Sequence, residues 1–226
     1  MKQNSDFLKE HNTLRYREAA PMGLGDSVRI SIMQEMVKGC DAILDVGCWD
    51  GLVSREMVKR GCRVWGLDNS PHAVSLANQN GLIAQIAQLD DTWPIEDKSM
   101  DAVLAGEVIE HVIDIDTFIS EAHRVLRPHG LLVVSTPNLA ALGRRLMLLL
   151  GMNPHIEISF SGGAAGHVRY FTPRIFREFI ESKGFQMKDL RADIVNFNSS
   201  GSIHSTLLAR LFPRIGRCLI GSFQKT

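Results

Sequence analysis

The stretch Ile43-Leu44-Asp45-Val46-Gly47-Cys48-Trp49-Asp50-Gly51 runs from an apolar strand pattern into a glycine-punctuated turn, and LVSREMVKR (52–60) behind it carries helical spacing. Glycines at 47 and 51 let the chain turn sharply and bring bare amides against a ligand, where a side chain would collide. The next apolar run, RVWGLD (63–68), closes on an acid, Asp68. An acid at the carboxyl end of a parallel strand is placed to accept hydrogen bonds from two ribose hydroxyls. Either element alone reads equally well as a tight turn or a helix cap. In order, each behind a strand, they point to a nucleoside.

Working outward, DAVLAGE (101–107) and LLVVST (131–136) are further continuous apolar runs, as expected for strands buried on both faces. Helical patterns separate them at SPHAVSLANQ (70–79) and DTFISEAHRVL (116–126). Ser70-Pro71 is a good helix start, a capping hydroxyl followed by proline at the first helical position. LIAQIAQL (82–89) is a weaker strand candidate, and Leu126-Arg127-Pro128-His129-Gly130 ends a helix and turns into the next strand. This alternation predicts an α/β fold, a parallel sheet wrapped by helices. After Pro137 the pattern changes: an amphipathic helix over 138–150, a Gly/Ser/Asn-rich loop over 151–168, and a helix over 173–184. LLARLF (207–212) and RCLIGSF (217–223) are expected to give a last helix and edge strands.

The chain has 226 residues, 45% hydrophobic and 22% charged, with 25 basic and 25 acidic side chains. That size suits one domain over 1–226 that needs no staple, with a substrate-cover insertion around 138–170. Cys40, Cys48, Cys62 and Cys218 show no CxxC or zinc spacing and read as reduced thiols. Zero formal charge argues against a nucleic-acid partner, whose phosphates demand a basic excess. The polar start MKQNSDFLKEHN is neither a signal peptide nor an anchor, and no apolar run approaches the ~20 residues of a spanning helix. The expected location is cytoplasmic, and the oligomeric state stays open.

A dinucleotide loop usually reads GxGxxG. Here Trp49 and Leu52 stand where its later glycines would be, which disfavours NAD and a pyrophosphate. With WPIEDKSMDAVLAGEVIEHV (93–112), LRPHGLLVVSTPN (126–138) and GHVRYFTP (166–173), the chain resembles the class I S-adenosylmethionine-dependent methyltransferases over about residues 40 to 190. The resemblance implies a Rossmann-like sheet of seven strands, mostly parallel with an antiparallel last strand, and S-adenosyl-L-methionine as methyl donor. It places Asp45, Gly47, Cys48, Trp49 and Gly51 at the methionine end of the cofactor. Asp68 would hold the ribose with Asn69 beside the adenine, Gln88 and Leu89 would border the adenine, and Glu107 would lie against the cofactor. Trp49 stands where the family usually has a small residue, so its ring must swing away from the cofactor or roof it. Gln88 replaces the usual acid, and its side-chain oxygen can still accept from an adenine amino group; Asp90 and Asp91 are nearby alternatives.

Methyl transfer from a sulfonium needs an aligned nucleophile, exclusion of water and, for an oxygen nucleophile, a proton acceptor. GEVIEHV (106–112) follows the fourth strand, and in a helical turn Glu107, Glu110 and His111 would share one face. His111 reads as a general base, its imidazole titrating near neutral pH. Alternatively Glu107, Glu110, His111 and the distant His167 hold a divalent metal that activates a substrate hydroxyl. ExxEH resembles a motif that serves as part of a metal site in ubiquinone-biosynthesis O-methyltransferases and small-RNA 2′-O-methyltransferases. The structural alternative is that the carboxylates only order the loop.

Segment 137–177 carries five arginines against one acid, Glu157, and 200–226 repeats the bias with Arg210, Arg214, Arg217 and Lys225 and no acid. A lid over an anionic or lipid-linked acceptor and a peripheral membrane contact are both open, beside the plainer reading of a packed helix with solvated arginines. SGGAAGH (161–167) reads either as a mobile loop delivering His167 or as a simple connector. The leading expectation is methylation of a small-molecule acceptor at oxygen: a quinone-like, lipid-linked or glycan compound. The alternatives are a terminal 2′-hydroxyl RNA methyltransferase, a non-catalytic cofactor-binding protein and, last, an NAD-dependent oxidoreductase.

Overall fold

A computed structural model describes residues 23–157, 166–198 and 202–226. Four apolar runs become the centre of one sheet: β1 (Ala42–Val46), β2 (Arg63–Asp68), β4 (Met100–Gly106) and β5 (Leu126–Pro137). β3 (Ile83–Ile86) lies at one edge. The sheet order is β3-β2-β1-β4-β5-β9-β6, with β6 (Phe185–Ala192) at the far edge and β9 (Cys218–Lys225) between it and β5. The first five strands run parallel, and β9 is antiparallel to both neighbours. All five residues of β1 are buried. Alternate side chains feed two cores, Ala42, Leu44 and Val46 on one face and Ile43 on the other, which is why the run reads as continuously apolar.

Helices cover both faces. α1 (Leu24–Met36) and α2 (Arg55–Lys59) bring Met33 and Met57 to one core, joined by Ala77 of α3 (Pro71–Gln79). α4 (Ile115–Val125) seats Phe118, Ile119 and Ala122 on the other, with Phe176 and Ile180 of α6 (Pro173–Glu181). Local signals start these helices as expected. Ser70 Oγ accepts from the Ala73 amide ahead of Pro71, and Asp114 accepts from the Thr117 amide. The turn at 127–130 is folded into β5, with His129 at φ 66° and a register break against β4.

Two expectations change. RCLIGSF is not an edge strand: it lies within β9, which pairs on both sides and is buried along nearly its whole length. The edge is β6, whose sequence FQMKDLRA carries charges because one side of it meets water. The amphipathic helix after β5 is α5 (Leu142–Leu149), which buries no residue fully. Beside it lie the two-stranded β7 (Val195–Asn196) and β8 (His204–Ser205), then α7 (Thr206–Leu211) and a 3₁₀ turn, Pro213–Ile215. Arg217 ties this region to the body, its Nε donating to the buried Asp193 and its Nη2 to Asp26 of α1.

Candidate active site

From β1 the chain winds outward through β2 and β3, then returns to β4 on the other side of β1. Ligands bind at such a switch point, outside the carboxyl ends of the strands. The glycine loop after β1 and the turn after β4 meet there: a Cβ built on Gly47 would stand 2.5 Å from Val108 Cγ2, and Gly47 has φ 70°. Only glycine suits that combination of close approach and left-handed backbone.

Asp68 ends β2 and is 1% exposed. Its Oδ2 accepts from the Trp49 amide at 3.1 Å and its Oδ1 from the Ser70 amide at 2.9 Å. A carboxylate offers about four acceptor sites, so these two amides fix its orientation at the strand end. Trp49 lends that amide by adopting φ 45°, a conformation few large residues take; its side chain is half-buried. Asn69 follows, half-buried. The Ala87 amide donates to the Asp68 carbonyl, which brings the half-buried Gln88 and Leu89 to the same end of the sheet.

Asp45 lies beneath the loop, 2% exposed, accepting from Ser54 Oγ at 2.6 Å. Burial pushes its carboxyl up to about 7, against the Ser54 bond and with help from the charges of Asp68 and Asp50. A carboxyl whose pKa is raised on folding stabilises the fold below its ordinary value, and that contribution is lost as pH rises through 7. Between about pH 4 and 7 the ligand-free melting temperature should therefore fall more steeply in the wild type than in Asp45→Asn. Each kcal/mol is worth roughly 2–4 °C in a chain of this size. Parallel slopes in scanning fluorimetry would show that Asp45 does not titrate there.

Arg29 of α1 was not singled out in the sequence. Its Nη1 reaches Ser135 Oγ at 3.4 Å. Its Nε is buried with no hydrogen-bond partner among the described residues. A Cβ on Gly106 would meet it at 3.2 Å, so the guanidinium lies at the end of β4. A half-buried guanidinium whose Nε is out of water and unpartnered favours an anion beside it. The amphipathic run SVRISIMQEM ahead of β1 was the available signal.

The turn after β4 divides the ExxEH residues. Glu107 has φ 58°; its amide meets Ser135, and its Oε1 lies 3.0 Å from Cys218 Sγ. The chain makes a single turn here and no helix, so helical spacing does not set Glu107 against Glu110 and His111, although its charge still reaches Glu110. The other three residues do converge. Ligand-capable atoms of Glu110, His111 and His167 all lie within 4.8 Å of one another. Glu110 is 1% exposed, its Oε2 accepting from Thr136 Oγ1. Burial, then the Glu107 charge, holds its carboxyl well above the usual range. His111 Nδ1 meets the Gly166 carbonyl at 3.1 Å, its Nε2 lies 4.0 Å from Glu110 Oε1, and its ring stands 4.9 Å from that of His167. His167 is held by Glu157, which accepts from the Gly166 and His167 amides. Of SGGAAGH, residues 161–165 lie outside the described residues.

Past the carboxyl end of β5, a cavity of about 480 Å³ is lined by apolar Leu142, Met147, Met152 and Phe197 together with Arg144 and Asn196. Arg144 Nη1 and Asn196 Oδ1 are buried with no hydrogen-bond partner among the described residues.

Residues 44–134 match the family described as "Methyltransferase domain". The chain is 26% identical to human mitochondrial ubiquinone biosynthesis O-methyltransferase over 163 residues, which is 68% of this chain and 44% of that protein. It is 36% identical to the Bartonella bacilliformis ubiquinone biosynthesis O-methyltransferase over 101 residues, 42% of this chain and 41% of that one. The match thus spans less than half the length of these relatives. Among solved structures, the Burkholderia thailandensis 1,6-didemethyltoxoflavin-N1-methyltransferase, with its substrate and S-adenosylhomocysteine bound, superposes with a TM-score of 0.65 at 15% identity, covering all of this chain and 90% of that one. A Mesorhizobium loti S-adenosylmethionine-dependent methyltransferase gives 0.63 at 19%, covering 90% and 100%. Fold, glycine loop and strand-end acid agree with these matches: the chain is similar to the class I S-adenosylmethionine-dependent methyltransferases.

Proposed function

We propose that the protein transfers a methyl group from S-adenosylmethionine to the oxygen of a small-molecule acceptor. The reading is carried by one juxtaposition: the clasp between Asp68 and the Trp49 amide lies at the same edge of the sheet as the His111–His167–Glu110 cluster. When bound, the cofactor supplies a methyl carbon already activated on a sulfonium. The residues suit that ligand. The Asp68 carboxylate favours its positive charge and would take the ribose hydroxyls, and the Arg29 guanidinium would meet the methionine carboxylate. Gln88, Leu89 and Asn69 would border the adenine.

The protein's own task is to orient the acceptor and move one proton. A carbonyl only accepts, so in the neutral His111 ring Nδ1 carries the proton that Gly166 receives, and Nε2 holds the lone pair. His111 Nε2 takes the proton of the acceptor hydroxyl, whose oxygen would receive the methyl carbon from the bound donor while the carbon–sulfur electron pair would stay with the departing sulfur. The cavity beside Arg144 and Asn196 would hold the body of the acceptor against α5. The relatives named for ubiquinone biosynthesis support an acceptor of quinone-like kind.

A second reading rests on Glu110 Oε1, buried with no hydrogen-bond partner among the described residues. Two imidazoles and a carboxylate suit a divalent transition metal, and Glu110, His111 and His167 would then be its ligands. Release of S-adenosylhomocysteine from pooled phenolic, glycan and lipid-linked acceptors tests both. Turnover that survives exhaustive chelation supports His111 as base, turnover restored by added magnesium or manganese supports the metal, and no turnover on any oxygen acceptor removes the proposal.

A further inference from the structure

The small elements after β5 and β6 share a core of their own. Leu142 of α5, Leu208 of α7 and Ile215 of the 3₁₀ turn meet on Ala192, Val195 and Ala209. The two helices therefore flank one platform, and what they do not bury in it faces water. That remainder is strongly apolar. Leu148, Leu149 and Leu150 are 65%, 81% and 74% exposed, and Leu207, Leu211 and Phe212 are each more than half exposed. Scattered apolar side chains on a surface are ordinary, but this many exposed on two helices that flank one platform mark an interface.

Charge identifies the occupant. Arg145, Arg210 and Arg214 are exposed within the same elements, and neither 138–156 nor 202–217 contains an acid. A face bearing only cations repels a second copy of itself in an isologous dimer. An anionic bilayer satisfies both components: leucines enter the boundary between headgroups and acyl chains while arginines stay among the phosphates. No helix among the described residues is long and apolar enough to cross a membrane, so the contact is peripheral. The acceptor cavity shares α5 with this face, lined by Leu146, Met147 and Met152.

We infer that α5 and α7 form a docking face by which the protein rests on an anionic membrane surface. The inference goes beyond the proposed chemistry and stands apart from it. The test is co-sedimentation of the full chain with phosphatidylcholine vesicles prepared with and without phosphatidylglycerol, at low and high salt. Binding is expected only with phosphatidylglycerol. It should fall by about tenfold or more in Leu149→Asp/Leu150→Asp, in Arg210→Glu/Arg214→Glu and on raising salt. These positions are exposed, and an unchanged shift in melting temperature with S-adenosylhomocysteine shows that the variants fold. No sedimentation with either vesicle, or equal binding by wild type and variants, overturns the inference. So does a dimer in analytical ultracentrifugation that the leucine variant dissolves without any vesicle binding, which gives the face to a second copy. Vesicle binding with no response to S-adenosylhomocysteine would leave the docking face standing and remove the methyltransferase reading.

Discussion

Asp68→Asn should weaken S-adenosylhomocysteine binding about a hundredfold or more. The carboxylate uses one oxygen for each of two amides, Trp49 and Ser70. An asparagine must turn its NH₂ towards one of them, placing donor against donor and releasing one side of the clasp. The same substitution removes the charge from the acceptor of two ribose hydroxyls. Hydrogen bonds to a charged group are worth roughly 1.5–3 kcal/mol each. Losing the charge assistance and the alignment of two amounts to about 3 kcal/mol, and every 1.4 kcal/mol is tenfold in affinity. Calorimetric titration reads the change directly. Binding within about threefold of wild type, where the amide would cost under 1 kcal/mol, would mean the sugar is held elsewhere and the nucleoside reading of β2 is wrong.

The central sheet was legible because its strands are buried on both faces, so burial wrote itself into sequence as unbroken apolar runs. The bounds of β1 and β2 follow AILDV and RVWGLD residue for residue. At the sheet's far side the signal failed. β6 mixes charged and apolar residues as many loops do, while β9, apolar mainly over its first four residues, looked like any short strand whose position only tertiary pairing decides. The site divided in the same way. Asp45, Gly47, Gly51 and Asp68 could be read because turn chemistry and strand ends fix them locally. Convergence of His167 on His111 is a contact between residues far apart in the chain, which periodicity does not encode. That the chain after β4 turns instead of starting a helix depends on the left-handed Glu107, and non-glycine residues in that region cluster where backbone is held for function. Arg29 went unread because its helix lies ahead of every motif and its partners lie a hundred residues away.

His111→Ala should lower kcat by about a thousandfold, within the 10²–10⁴ that a positioned acid–base group contributes, while leaving S-adenosylhomocysteine affinity unchanged. The reason is geometric: the clasp is built from Trp49, Asp68 and Ser70, whereas His111 stands with Glu110 and His167, and the Gly166 carbonyl fixes which nitrogen bears the proton. His167→Ala separates the two roles of the cluster. If His111 is a base, His167 only steadies its ring across 4.9 Å, and its loss should cost about tenfold, equivalent to about 1.4 kcal/mol. If the three residues are ligands, losing either imidazole removes a bond to the ion, and the two variants should fail together and both respond to added metal. Glu110→Gln sharpens the contrast. It keeps the size and the Thr136 bond but abolishes a carboxylate ligand, so it should be tolerated by a base mechanism and fatal to a metal one. A His111 variant that turns over like the wild type, with or without metal, would leave the cluster a scaffold for segment 166–170 and move the proton acceptor onto the substrate itself.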